Sequence, residues 1–97
     1  MHLAAIALLL AGTAWQTHYE RGKSRLEAGD ARAAVVSLRK AAKLAPREAV
    51  VWYQLSRALR RTGRAQEAHA AAERYKILEG ERRKNEPVGT MAAENDE

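Results

Sequence analysis

From about residue 16 to residue 84 apolar side chains recur three and four positions apart, as Val35, Leu38, Ala41 and Ala42 do in one stretch and Val51, Leu55, Ala58 and Leu59 in another. That spacing puts them on one face of a 3.6-residue helix, and the Ala, Leu, Arg and Glu that fill the rest are good helix formers. Three interruptions punctuate the pattern, at Gly29-Asp30, Ala45-Pro46 and Gly63. Glycine takes the left-handed conformation that ends a helix, aspartate caps the next one, and proline cannot continue a helix. Four amphipathic helices are predicted, roughly 15–28, 31–44, 48–61 and 65–84. Two stretches fall outside the pattern. Residues 3–15, LAAIALLLAGTAW, carry no charge, and the end of the chain, NEPVGTMAAENDE, has no periodicity and contains Pro87 and Gly89. The latter reads as a disordered acidic tail over 85–97.

The two halves of the helical region echo each other. Gly29 and Gly63 are 34 residues apart, and His18/Trp52, Tyr19/Tyr53, Lys23/Arg57 and Ala34/Ala68 share the offset. A 34-residue period of paired helices is the signature of a helical repeat. At these residues the chain resembles the tetratricopeptide repeat. A first unit, 15–48, carries Gly22, Gly29, Ala34, Leu38, Ala41 and Pro46; a second, 49–84, carries Trp52, Leu55, Ser56, Leu59, Gly63 and Ala68 and closes with a long terminal helix. The resemblance implies an all-α fold, a fragment of α-solenoid built from helix-turn-helix repeats, with about four helices plus an apolar N-terminal helix. Gly22 and Ser56 are the small residues that let paired helices approach, and Pro46 separates the two units.

Departures from the family pattern are informative. His18, Arg21 and Arg25 stand where large apolar residues are usual, so the first helix is expected to be loosely packed or to be covered by arginine stems. Tyr75 falls where the first unit has Ala41, which suggests that nothing further stacks there. Two repeats are fewer than the three or so that normally bury a continuous core. Completion is expected from the apolar segment, from self-association with a second copy, or from a partner protein.

The uncharged stretch is 13 residues long, short of the 18 or so of a membrane span but matched to a secretory hydrophobic region, with small residues for cleavage after Ala14. Against this, Met1-His2 lacks Lys and Arg, while Arg21, Lys23 and Arg25 follow the stretch. The favoured reading is a signal-like or membrane-associating segment over 1–14, hence an exported or membrane-associated protein. The alternatives are a cytoplasmic chain in which the segment is the second helix of an incomplete upstream unit, and a clipped gene start.

Charge and chemistry narrow the function. Among 97 residues there is no Cys, so no disulfide or thiolate site exists. Residues 1–84 hold all 17 bases and eight acids, while 85–97 hold four acids and no base. His2, His18 and His69 are too scattered for a metal pair, no phosphate-binding glycine loop is present, and Ser24, Ser37 and Ser56 have no activating base nearby. The chain reads as a non-enzyme without metal or cofactor. The resemblance points instead to the concave face made by the first helix of each unit. Carried over by place in the repeat, that face holds Tyr19 and Lys23 in the first unit and Tyr53, Arg57, Arg60 and Arg61 in the second. It is expected to receive an acidic protein segment or a C-terminal carboxylate, since Arg and Lys donate charge-assisted hydrogen bonds and Tyr adds rigid contact area. The asparagines of chaperone-tail-binding members are missing, with Lys23 and Arg57 in their place. An adaptor or scaffold follows as the leading function. A small structural subunit of a larger, membrane-bound complex is the alternative. Nucleic acid is not the expected partner, because no recognised motif accompanies the basic residues.

Overall fold

A computed structural model describes the backbone of residues 2–86 and the side chains of 13–86. It contains four helices in chain order: α1 (His2–Glu27), α2 (Ala31–Leu44), α3 (Ala49–Arg61) and α4 (Ala65–Lys84). The junctions work as the residue types dictate. Gly29 and Gly63 take φ values of +87° and +79°, which end α1 and α3 in the left-handed region. Asp30 then caps α2 by accepting a hydrogen bond of 3.2 Å from the Ala33 amide. α2 ends one residue before the Ala45-Pro46 turn, and the Trp52 indole N–H donates to the Pro46 carbonyl at 2.8 Å, tying the inter-unit turn to α3.

α1 pairs with α2 and α3 with α4, and α3 also packs on α2 and touches α1. Leu26, Leu38 and Val51 are the largest fully buried side chains, in a core completed by Val35, Leu55, Leu59 and a set of buried alanines. The close approach of α1 to α2 occurs at Gly22, where an added β-carbon would lie 2.5 Å from Leu38 Cγ. Ser56, in the equivalent place of the second unit, is also buried and donates its hydroxyl back to the Tyr53 carbonyl at 2.7 Å.

A comparison of positions 34 apart shows how two units close without a third. Leu55 and Leu59 are buried on the side of α3 that meets the first unit, while Arg21 and Arg25, the same places in α1, are exposed. On the other side Leu26, Val35 and Ala42 are buried, whereas their counterparts Arg60, His69 and Lys76 are exposed. Both outer faces are therefore polar where the inner faces are apolar, the arrangement a terminal repeat needs in water. Among the described residues nothing packs on the face that carries Arg21 and Arg25, and both side chains are exposed.

α1 is one uninterrupted helix, so the apolar stretch continues directly into the first helix of the repeat. The side chains of 1–12, on which the targeting or membrane expectation rests, and the tail beyond Glu86 lie outside the described residues. Among the described residues no helix is long and apolar enough to cross a membrane.

Candidate functional site

The first helices of the two units, α1 and α3, approach each other, while α2 and α4 do not. The α1/α3 side is thus the inner face and the α2/α4 side the splayed outer one. On the inner face Lys23 from α1 and Arg57 and Arg61 from α3 line one cavity of about 220 Å³ together with Leu26, Glu27 and Gln54. A shallower depression of about 230 Å³ adjoins it, formed by Arg57, Arg60 and Arg61.

Each of these cations is held differently. The Arg57 guanidinium donates to Gln54 Oε1 at 3.0 Å and lies 5.9 Å from the Tyr53 ring centroid, so a buried amide and an aromatic face orient it. Tyr53 in turn packs on Tyr75 with ring centroids 5.3 Å apart. Arg61 donates to the Leu26 carbonyl at 3.1 Å, satisfying one of the carbonyls left open at the end of α1. Arg60 is exposed, and the carboxylate-bearing Glu27 shares the cavity with Lys23. Five of the six candidate residues thus fall in or beside one cluster. The sixth, Tyr19, is half-buried against the core and its ring packs on Trp15 at 6.1 Å. Tyr19 lines neither depression.

A second concavity went unnoticed in the sequence. Because α2 and α4 splay apart, an open groove of about 580 Å³ lies between them, floored by Trp52, Leu55 and Leu59 of α3 and walled by Ala42, Pro46, Ala70 and Ala71. Arg39, Lys43, Glu67 and Arg74 form its rim. Arg39 pairs with Glu67 across it, and the Arg74 guanidinium sits 6.0 Å from the Trp52 ring centroid. The three floor residues are positions the repeat pattern assigns to packing between units. Their periodicity signals burial, which holds for Leu55 and Leu59, while Trp52 stays half-buried beside the groove that the separation of α2 from α4 leaves.

No curated protein and no solved structure matches the chain. A family model described as tetratricopeptide repeat matches residues 25–81, which is more than half of the 97 residues. The match spans the end of α1, all of α2 and α3 and most of α4. With its 34-residue offset, two helical hairpins and glycine-terminated first helices, the chain belongs to the tetratricopeptide repeat family, whose members are generally protein-protein interaction modules.

Proposed function

We propose that this chain is a non-enzymatic adaptor whose inner face binds an acidic protein segment. The observation that carries the reading is the convergence of Lys23 from one unit with Arg57 from the next on a single cavity, beside an exposed aromatic ring. A carboxylate in that cavity would accept charge-assisted hydrogen bonds from both cations, each roughly twice as strong as a neutral pair. Arg57 is already oriented by Gln54 and Tyr53, which lowers the entropy lost on binding. Tyr53 supplies rigid apolar contact next to the charge, and Arg60 extends the positive field along the face. Arg61 contributes charge while its hydrogen bond to Leu26 fixes α3 against the end of α1.

The test is fluorescence polarisation with labelled Asp/Glu-rich peptides, comparing the unaltered chain with a Lys23→Glu, Arg57→Glu double variant whose helicity is checked by circular dichroism. Binding is expected to weaken at least tenfold with helicity unchanged. Equal binding by the two chains would remove the inner face from consideration.

A further inference from the structure

The inner cavity holds more positive charge than one carboxylate answers. Lys23, Arg57 and Arg61 line it against a single acid, Glu27, which leaves an excess of two positive charges around a space of about 220 Å³. We propose, resting on the inner-face reading, that the acidic group received there is the phosphate of a phosphorylated serine or threonine in the partner's segment, so that phosphorylation of the partner controls binding.

The first support is the direction of the donors. Lys23 comes from α1 and Arg57 and Arg61 from α3, so their cationic heads reach the cavity from two helices. The arginines are anchored one turn apart, Arg57 on Gln54 Oε1 at 3.0 Å and Arg61 on the Leu26 carbonyl at 3.1 Å. A guanidinium carries five N–H groups, so these anchors leave further donors on both side chains. A carboxylate has two oxygens in one plane and suits a single guanidinium fork. A phosphate monoester has three acceptor oxygens in a tetrahedral arrangement, which donors arriving from two helices can share.

The second support is charge. A carboxylate offsets half of the excess, whereas a phosphate monoester carries about −1.5 to −2 at pH 7 and offsets nearly all of it. Lys23 and Arg57 are half-buried, so salt screens their attraction less than that of the exposed Arg60 and Arg61.

The third concerns the source of the phosphate. A nucleic-acid strand is held by cations that track its backbone and by aromatic rings that take successive bases. Here the cations converge on one recess with Glu27 among them, and Tyr53, the ring beside it, already packs on Tyr75 and lies 5.9 Å from the Arg57 guanidinium. One doubly charged group on a protein segment fits such a recess better than a repeating polyanion.

Three peptide libraries test the proposal on the full chain by fluorescence polarisation, each with degenerate uncharged neighbours around a fixed central serine, glutamate or phosphoserine. The phosphoserine library is expected to bind about tenfold or more tighter than the glutamate library, and the serine library weakest of all. Lys23→Gln should shrink the preference for phosphoserine over glutamate, and Lys23→Arg should keep it. Amide shifts induced by the phosphoserine library should centre on Lys23, Glu27, Gln54 and Arg57. Equal affinity for the phosphoserine and glutamate libraries would overturn the phosphate assignment and leave the inner face as a site for acidic segments. A preference unchanged by Lys23→Gln, or no binding of phosphoserine, would overturn it as well. Binding of both acidic libraries that is indifferent to the Lys23→Glu, Arg57→Glu double variant would overturn the inner face itself. Displacement of the phosphoserine library by a single-stranded oligonucleotide at equal phosphate concentration would assign the cavity to nucleic acid and overturn the protein partner.

Discussion

Gly22 and Leu38 meet so closely that a β-carbon on residue 22 would sit 2.5 Å from Leu38 Cγ and 2.8 Å from its Cδ2. This contact sets the spacing of the first helical pair. Leu38 is fully buried and cannot swing into solvent, so any side chain at 22 must move a helix or an interior leucine. Gly22→Val is expected to lose about 1–3 kcal/mol by overpacking. The urea midpoint reports it, and a partial rescue by Leu38→Ala, measured as a double-mutant coupling, would assign the loss to this pair. A midpoint unmoved by Gly22→Val would show that α1 and α2 are farther apart.

The two helix starts after the glycine turns differ in a way that stability measurements can read. Asp30 caps α2, whereas Arg64 at the start of α4 provides no side-chain cap and brings a positive charge to the positive end of the helix. Asp30→Ala is expected to cost about 1 kcal/mol, while Arg64→Ser, which places a hydroxyl cap three residues before Glu67, is expected to gain about 0.5–1 kcal/mol. Thermal midpoints moving in opposite directions would confirm the assignment.

Glycine has opposite meanings at two positions. At Gly63 the backbone has φ +79°, so Gly63→Ala is expected to destabilise by about 1–2 kcal/mol through backbone strain alone, since nothing lies within 4 Å of the added β-carbon. Gly80 lies inside α4 with equally open surroundings and no positive φ. Gly80→Ala should gain about 0.8–1 kcal/mol of helix propensity, visible as a higher denaturation midpoint. A loss at Gly80 would mean that its missing side chain makes room for something.

Exchange of polar and apolar residues between equivalent places tests the closed ends of the pair. Leu55→Arg copies the residue found at position 21 and is expected to unfold the chain, because it puts a charge into the contact between units. Arg21→Leu should change stability by no more than about 0.5 kcal/mol but increase self-association in sedimentation velocity, because it creates an exposed apolar side chain on an end face.

Arg61 and Arg60 are adjacent cations with different duties. Arg61→Ala removes the hydrogen bond to the Leu26 carbonyl and is expected to cost about 0.5–1.5 kcal/mol, whereas Arg60→Ala should be nearly neutral in stability. In the peptide assay both should weaken binding. If Arg61→Ala leaves the melting temperature unchanged, its contact with α1 is not maintained in solution.

Much of this architecture was legible from local signals. The four helices were expected within a residue or two of their observed ends, apart from α1, because glycine, aspartate and proline act on the backbone within a few positions of themselves. The apolar uncharged stretch is continuous with α1, and the lone Gly12 within it does not break the helix. The unusual Arg21 and Arg25 were visible too, but they read as weaknesses of a repeat. Only the packing shows that they lie on faces that meet water.

The inner cluster was half legible. The family's place numbering brought Lys23, Tyr53, Arg57, Arg60 and Arg61 together, and the fold placed them side by side. Tyr19, at the same place as Tyr53, turned to the core because Trp15 lies one turn away and offers its ring. The hydrogen bond from Arg61 to Leu26, across 35 residues of sequence, had no local signal at all.

What the sequence determined by itself is the helical class, the 34-residue period, the turn positions and the asymmetry of charge between body and tail. These follow from backbone preferences and composition, which are properties of neighbours along the chain. The tertiary structure decided which apolar residues are enclosed and which remain open. Trp52 shares the periodicity of Leu55 and Leu59, yet they are buried and it is only half-buried, because α2 and α4 splay apart around a shared α3 and leave a groove beside it. Such a separation is set by the summed packing of α1, α2 and α3, and no single residue encodes it.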